Sequence, residues 1–453
     1  MRAKKFGSSG RGGFLVAALI AASLAFAAAA SADPTTAIKE GETDPAVWGQ
    51  VYPLEYQRFM MMKDDTTPTP FGGDMKYDKL AVYPAMKRLW AGYAFSVDYN
   101  MRRSHYYSLI DQKATKRQQV VQQPGACANC HSADAPALIK TMGWENFNHT
   151  PYAQISGNLH AGISCSDCHD PKTMALRITR PALINALAAR GEDWTKASEQ
   201  EMRSLVCSQC HVEYYFKGDN KVLTFPWDKG MTIDDIDAYY KQIGFKDFVH
   251  KDTGAAMIKI QHPETELYST SVHAKAGVSC ADCHMPSIKV DGQRISDHWV
   301  RSPLLSIDDS CGSCHMGDAK DIANRVLDIQ ETTAGQLRKA ETAILAAIDD
   351  IVAAKTAGAT DADLAEAREL QRKATMRWDF ISSENSMGFH SPEEAARVVA
   401  DAIDFGRMAQ LSAERAIVKA GGKLPSSALL LLDEKAVIGV PAPITRAAFM
   451  AGN

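Results

Sequence analysis

The sequence predicts a mainly α fold with little β structure and long C-terminal helices. Three observations point there. Apolar residues recur at helical spacing after residue 315. Few stretches before it alternate as strands do. And ten cysteines, all in close pairs, cut the chain up to His315 into short segments with scattered Pro and Gly.

Taken in order, the first element is an export signal over residues 1–32. Arg2, Lys4, Lys5 and Arg11 precede an apolar run from Phe14 to about Ala30, and Ala30-Ser31-Ala32 is a small-residue cleavage site. The alternative is a retained anchor, since the run is just long enough to span a bilayer. The chain has 50 basic and 54 acidic residues. The first 32 residues hold four of the basic ones and none of the acidic, so the remainder carries a net charge of about −8. No basic block interleaves with aromatics, which argues against nucleic acid as a partner.

The middle of the chain, residues 33–315, holds every cysteine: Cys127/Cys130, Cys165/Cys168, Cys207/Cys210, Cys280/Cys283 and Cys311/Cys314. A histidine follows each pair at once: His131, His169, His211, His284 and His315. Disulfides or zinc ribbons would explain the pairs but not the histidines. C-x-x-C-H is the attachment pattern of a c-type haem: the thiols form thioethers to the haem and the imidazole reaches the iron. The expectation is a multihaem cytochrome c with five c-type haems supplying much of the core. "HAGISCSDCHDP" from His160 also resembles "HAKAGVSCADCHMP" from His273, which suggests two haem sites built alike.

Residues 316–453 form the last region. Ile322, Val326, Ile329, Leu337, Ile344, Ile348 and Ile351 predict a helix from Asp318 to about Thr356. "TAGATD" breaks it, a second helix runs from about Asp361 to Ile381, and a third begins at Ser391. There Ser391 is the expected N-cap, Pro392 the first helical residue and Glu394 the partner in a capping box, with Gly421-Gly422 as the stop. Helices this long pack on each other or on a second subunit.

Eight histidines lie outside the motifs: His105, His149, His160, His250, His262, His273, His298 and His390. A pure electron carrier would place a second histidine on all five irons, whereas a protein that binds substrate at iron leaves one position open. The count allows both.

Three segments beyond the motifs are specific: "CSQCHVEYY" (207–215), "KIQHPETE" (259–266) and "RRSHYYSLIDQKATKR" (102–117). On these the chain resembles the pentahaem cytochrome c nitrite reductases, the ammonia-forming family, from about Tyr52 to the last helix. The resemblance implies catalytic residues Arg117, Tyr215 and His262 above the first haem. It implies calcium bound by the Glu213 side chain, the Gln261 side-chain oxygen and the backbone carbonyls of Tyr214 and Lys259, all hard donors that suit Ca²⁺. It implies four distal iron ligands: His298 for the second haem, His105 for the third, His390 for the fourth and His273 for the fifth. His149, His160 and His250 are then left without a role. One departure stands out, because most members have lysine where "CANCH" ends in His131.

By the same resemblance, the protein is a periplasmic enzyme that reduces nitrite to ammonium at a five-coordinate haem fed by four bis-histidine haems. Arg117 would hold the anion and His262, expected to titrate near neutrality, would donate a proton. The resemblance further implies a homodimer through the C-terminal helices, and electrons from a membrane-bound multihaem quinol dehydrogenase or a soluble multihaem donor. The alternatives are a multihaem electron-transfer cytochrome, or a related reductase of hydroxylamine or sulfite.

Overall fold

A computed structural model describes residues 38–101, 103–424 and 444–452. The export signal expected over 1–32 lies outside the described residues, as does Arg102. The protein is mainly α, and the strands among the described residues form four separate two-stranded hairpins. Among these residues no helix is long and apolar enough to cross a membrane.

Three long C-terminal helices organise the rest. Helix α1 runs Ala319–Thr356, with the Asp318 carboxylate accepting from Lys320 N. Helix α2 runs Asp361–Ser383 and starts on a capping box between Thr360 and Asp363. Helix α3 runs Pro392–Lys419. Val326, Leu337, Ile344, Ile348 and Ile351 are buried as the spacing requires, each such side chain contributing roughly 1.5–3 kcal/mol. Gly406 lets α3 approach α1 closely, since a Cβ there would lie 3.0 Å from that of Ala343. The core around Leu337, Ile344 and Ile348 also takes in Leu80, Trp90, Tyr215 and Ile258 from the cysteine-bearing region, so α1, α2 and α3 are the floor on which that region sits.

The start of α3 differs from expectation. Ser391 occupies the N-cap position but makes no capping hydrogen bond. Its Oγ instead accepts from Thr270 Oγ1 at 2.8 Å, and Glu394 is turned to Arg397. A tertiary partner has outcompeted the local cap.

The two similar motifs do share a local design. Helix Cys165–Cys168 is closed by a capping box of Ser164 and Asp167, and helix Cys280–His284 by one of Ser279 and Asp282. The likeness ends there, because His160 is exposed whereas His273 packs on His315.

Candidate functional site

Four motif histidines each face a second histidine. Ring centroids are 6.2 Å apart for His169 and His298, 6.3 Å for His211 and His105, 6.4 Å for His284 and His390, and 6.1 Å for His315 and His273. With metal–nitrogen bonds of about 2 Å, two imidazoles on opposite sides of one iron put their centroids about 6 Å apart, so the spacing fits a haem iron between each pair. Burial lowers His105 and His284 to about 4, so both stand neutral at pH 7, as ligation requires.

Nine of the ten cysteines are partly buried. Cys130 touches Cys210 and Cys207 touches Cys280, so the first, third and fourth motifs are neighbours. Cys314 differs from the other nine. It is exposed, as is His315 beside it. The fifth motif fills the short link between a one-turn helix, Ile307–Ser310, and the start of α1. Cys311, Cys314 and His315 keep the attachment pattern of the other four motifs.

The remaining histidines divide cleanly. His149 and His160 are exposed. His250 is fully buried, with Nε2 2.9 Å from Arg88 O and Nδ1 accepting from Asp252 N and Thr253 N. It is a satisfied core residue.

Arg117 sits at the start of a one-turn helix, Arg117–Val120, and is 7 % exposed. Its Nη1 donates to Asp98 O at 2.9 Å and its guanidinium lies 4.3 Å over the Phe95 ring. Nε has no partner among the described residues. Burial raises the Tyr93 phenol well above its ordinary range, and Asp247, Arg117, Cys127 and Glu213 all act on it. Arg117, the first motif and the Glu213 segment therefore share one neighbourhood.

Tyr215 opens a hairpin, Tyr215–Lys217 paired with Val222–Thr224. Its hydroxyl is 2.7 Å from that of Tyr239, and the edge of Tyr240 packs on its ring. Burial raises it above the usual tyrosine range. His262 is lowered to about 4, chiefly by burial, which corrects the near-neutral expectation. A neutral imidazole still donates from one ring nitrogen.

The segments carrying Tyr215 and His262 are tied together at Glu213. This carboxylate is fully buried; Oε1 accepts from Tyr240 OH at 2.9 Å and Oε2 from Gln261 N at 2.6 Å. Glu213 N in turn donates to Glu266 Oε1, which also takes Trp227 Nε1, both at 2.8 Å. Helix α2 secures the other side: Asp379 accepts from Lys259 Nζ at 3.0 Å and Ile260 N at 2.8 Å.

These residues fit a calcium ion by their charge. Burial raises Glu213 well above the carboxylate range, Asp247 to about 7 and Glu266 to about 8, and each has a further buried carboxylate nearby that adds to its shift. The hydrogen-bond donors on Glu213 are neutral, and Glu266 Oε2 has no partner among the described residues. That is an excess of buried negative charge which a hard dication would relieve. Lys259 O lies 2.9 Å from the Gln261 side-chain amide nitrogen, and turning that amide would bring its oxygen to the same spot. Among the described residues no three His, Cys, Asp or Glu side chains form a metal cluster by themselves.

Sequence reading missed the supporting acids Glu266, Asp379 and Glu384. Glu266 lies within the 259–266 segment itself; Asp379 and Glu384 carry no local signal, because their partners are more than one hundred residues away or across a loop.

Residues 44–435 match the cytochrome c552 family. The chain is 41 % identical over 376 residues to cytochrome c-552 of Parabacteroides distasonis, covering 82 % of this chain and 76 % of that protein. It is 39 % identical over 392 residues to cytochrome c-552 of Bacteroides thetaiotaomicron, covering 85 % and 80 %. Among solved structures it is similar to the catalytic subunit of the cytochrome c nitrite reductase of Desulfovibrio desulfuricans, described with two calcium sites. That match has a TM-score of 0.82 at 32 % identity and covers 90 % of this chain and 92 % of that one.

Proposed function

This chain belongs to the cytochrome c552 family, and on that footing we propose that it is an exported nitrite reductase forming ammonium, with five c-type haems and calcium. The observation that carries the reading is the pairing of four motif histidines with His298, His105, His390 and His273. In this reading the four paired irons carry electrons, and the fifth, at His131, is the one assigned to substrate.

Five haems, when bound through the ten cysteines, supply stored electrons and an iron at which the nitrogen of nitrite is reduced in a six-electron reaction. The protein's own residues do the rest. Arg117 holds a permanent charge with its planar fork steered by Asp98 and Phe95, which suits an anion whose oxygens leave as water. His262 donates a hydrogen bond as a neutral imidazole, and Tyr215 offers a phenol kept protonated by burial. Glu213, Gln261 and the carbonyls of Tyr214 and Lys259 would hold calcium, and so keep Tyr215 and His262 in register. The thiol contacts Cys130–Cys210 and Cys207–Cys280 bring neighbouring haem sites within a short electron path of one another. The exposed fifth motif, at Cys314 and His315, offers an outside donor a point of entry to that path.

Residues 1–32 act as the export signal, 33–315 as the haem-binding catalytic region and 316–453 as the helical region through which two copies dimerise. The enzyme works in the periplasm, taking electrons from a multihaem donor, either a membrane quinol dehydrogenase or a soluble carrier. The test is an EPR spectrum of the purified holoprotein with a nitrite assay under strong reductant. One high-spin and four low-spin haems with ammonium as product is the expected result. Five low-spin haems without turnover would end the proposal.

A further inference from the structure

His390, which faces His284, differs from His169, His298 and His284 in what its second ring nitrogen meets. Its Nδ1 lies 3.0 Å from Glu384 Oε2, an ion-pair contact that lacks the angle of a hydrogen bond. By contrast His169 Nδ1 meets Met174 O at 2.8 Å, His298 Nδ1 meets Ser296 O at 2.8 Å and His284 Nδ1 meets Arg301 O at 3.0 Å, all neutral carbonyls. Glu264 approaches His211 Nδ1 only to 3.9 Å, outside hydrogen-bond range.

Glu384 is 2 % exposed and rigidly held in the turn between α2 and α3. Oε1 accepts from Ser386 Oγ at 2.9 Å and Gly388 N at 2.6 Å, and Oε2 from Ser386 N at 3.1 Å. Gly388 makes that turn possible: its φ is +82°, and a Cβ there would strike Thr333 Oγ1. No lysine or arginine pairs with Glu384 among the described residues; His390 is its one ion-pair partner there. A fixed, buried negative charge is thus aimed at one imidazole.

We propose that Glu384 is a positioning residue that holds His390 by its Nδ1 and lowers the reduction potential of the fourth haem below what carbonyl-bound histidines would give. The inference rests on the reading of His284 and His390 as that haem's axial pair. When Nε2 ligates iron, the ring proton must sit on Nδ1, the nitrogen that faces Glu384 Oε2 at ion-pair distance. A carboxylate acceptor draws that proton more strongly than a carbonyl does, making the imidazole a better donor, and its charge favours the oxidised iron. Cys280 of this motif touches Cys207 of the third, so the effect falls on a haem inside the chain of electron carriers.

The test is a spectroelectrochemical titration of holoprotein carrying Glu384→Gln or Glu384→Asp against wild type. The expected result is one of the five reductive steps moved to higher potential in Glu384→Gln, the others unmoved and the low-spin haem count unchanged, with the shift at least partly reversed in Glu384→Asp. A Glu384→Gln titration superimposable on wild type would overturn the proposal. So would a new high-spin haem in Glu384→Gln with unshifted steps in Glu384→Asp, because the carboxylate would then be an anchor alone. Absence of nitrite turnover in the wild type removes the reductase reading but leaves this comparison standing, since it is read from potentials.

Discussion

Glu213 Oε2 accepts a hydrogen bond from Gln261 N at 2.6 Å, joining two chain segments almost fifty residues apart. One segment ends in Tyr215 and the other in His262, so a single buried carboxylate sets their relative position.

Replacing Glu213 by Ala should therefore cut nitrite turnover by at least tenfold, because the proposed calcium site would lose its one charged side chain and both segments lose their link. Haem content, read from the reduced spectrum, should stay at five. Full activity of the wild type after exhaustive treatment with a calcium chelator would contradict the metal part of this argument.

Arg117 is oriented from two sides, by Asp98 O and by the face of Phe95. Arg117→Lys keeps the charge but loses the fork and the stacking, so KM for nitrite should rise by about tenfold or more. Phe95→Leu removes only the stacking and should give a smaller rise, since a cation–π contact contributes roughly 0.5–2 kcal/mol. Steady-state kinetics on both variants separate the contributions; equal KM values for wild type and Arg117→Lys would show that the fork does nothing.

Much of this was legible in the sequence because haem attachment imposes a local pattern. C-x-x-C-H names five ligands outright, and the apolar spacing of Leu337, Ile344, Ile348 and Ile351 names the buried face of α1. The pairing of His105 with His211 and of His298 with His169 has no local rule and came from the family resemblance alone. What stayed hidden depends on distant contacts. The motif around Cys314 reads like the other four, and only the fold shows that this cysteine is exposed. Ser391 satisfies every local requirement of an N-cap, yet Thr270, far back in the chain, takes its hydroxyl. His262 looks like a titrating histidine until burial is known. Asp379 reads as one more polar residue on a helix, and only the fold shows that it faces Lys259.

That Lys259–Asp379 pair is almost wholly buried, with side chains 1 % and 0 % exposed. Removing one partner strands the other. Lys259→Met should destabilise the holoprotein by about 3–5 kcal/mol, whereas Lys259→Met combined with Asp379→Leu should recover a substantial part of the loss. A double-mutant cycle by denaturant unfolding measures this. Additive losses in the double variant would mean that the two charges do not depend on each other.

Glu341 on α1 gives the stability a pH dependence of definite sign. Burial raises its carboxyl from 4.5 to about 7, with Trp378 and Arg338 pulling the other way. The folded state thus binds the proton more tightly than the unfolded chain. No penalty exists below pH 4.5, where both forms are protonated; as pH rises from there through about 7 the unfolded chain ionises first and stability falls, levelling off above that. A tenfold difference in proton affinity corresponds to about 1.4 kcal/mol, so the loss is on the order of 2 kcal/mol after allowing for partial solvation. Glu341→Gln cannot ionise. It should raise the melting temperature at about pH 8 and leave it nearly unchanged at about pH 4.5, as followed by the loss of haem-pocket circular dichroism. An equal change at both pH values would mean that Glu341 acts through packing and not through its charge.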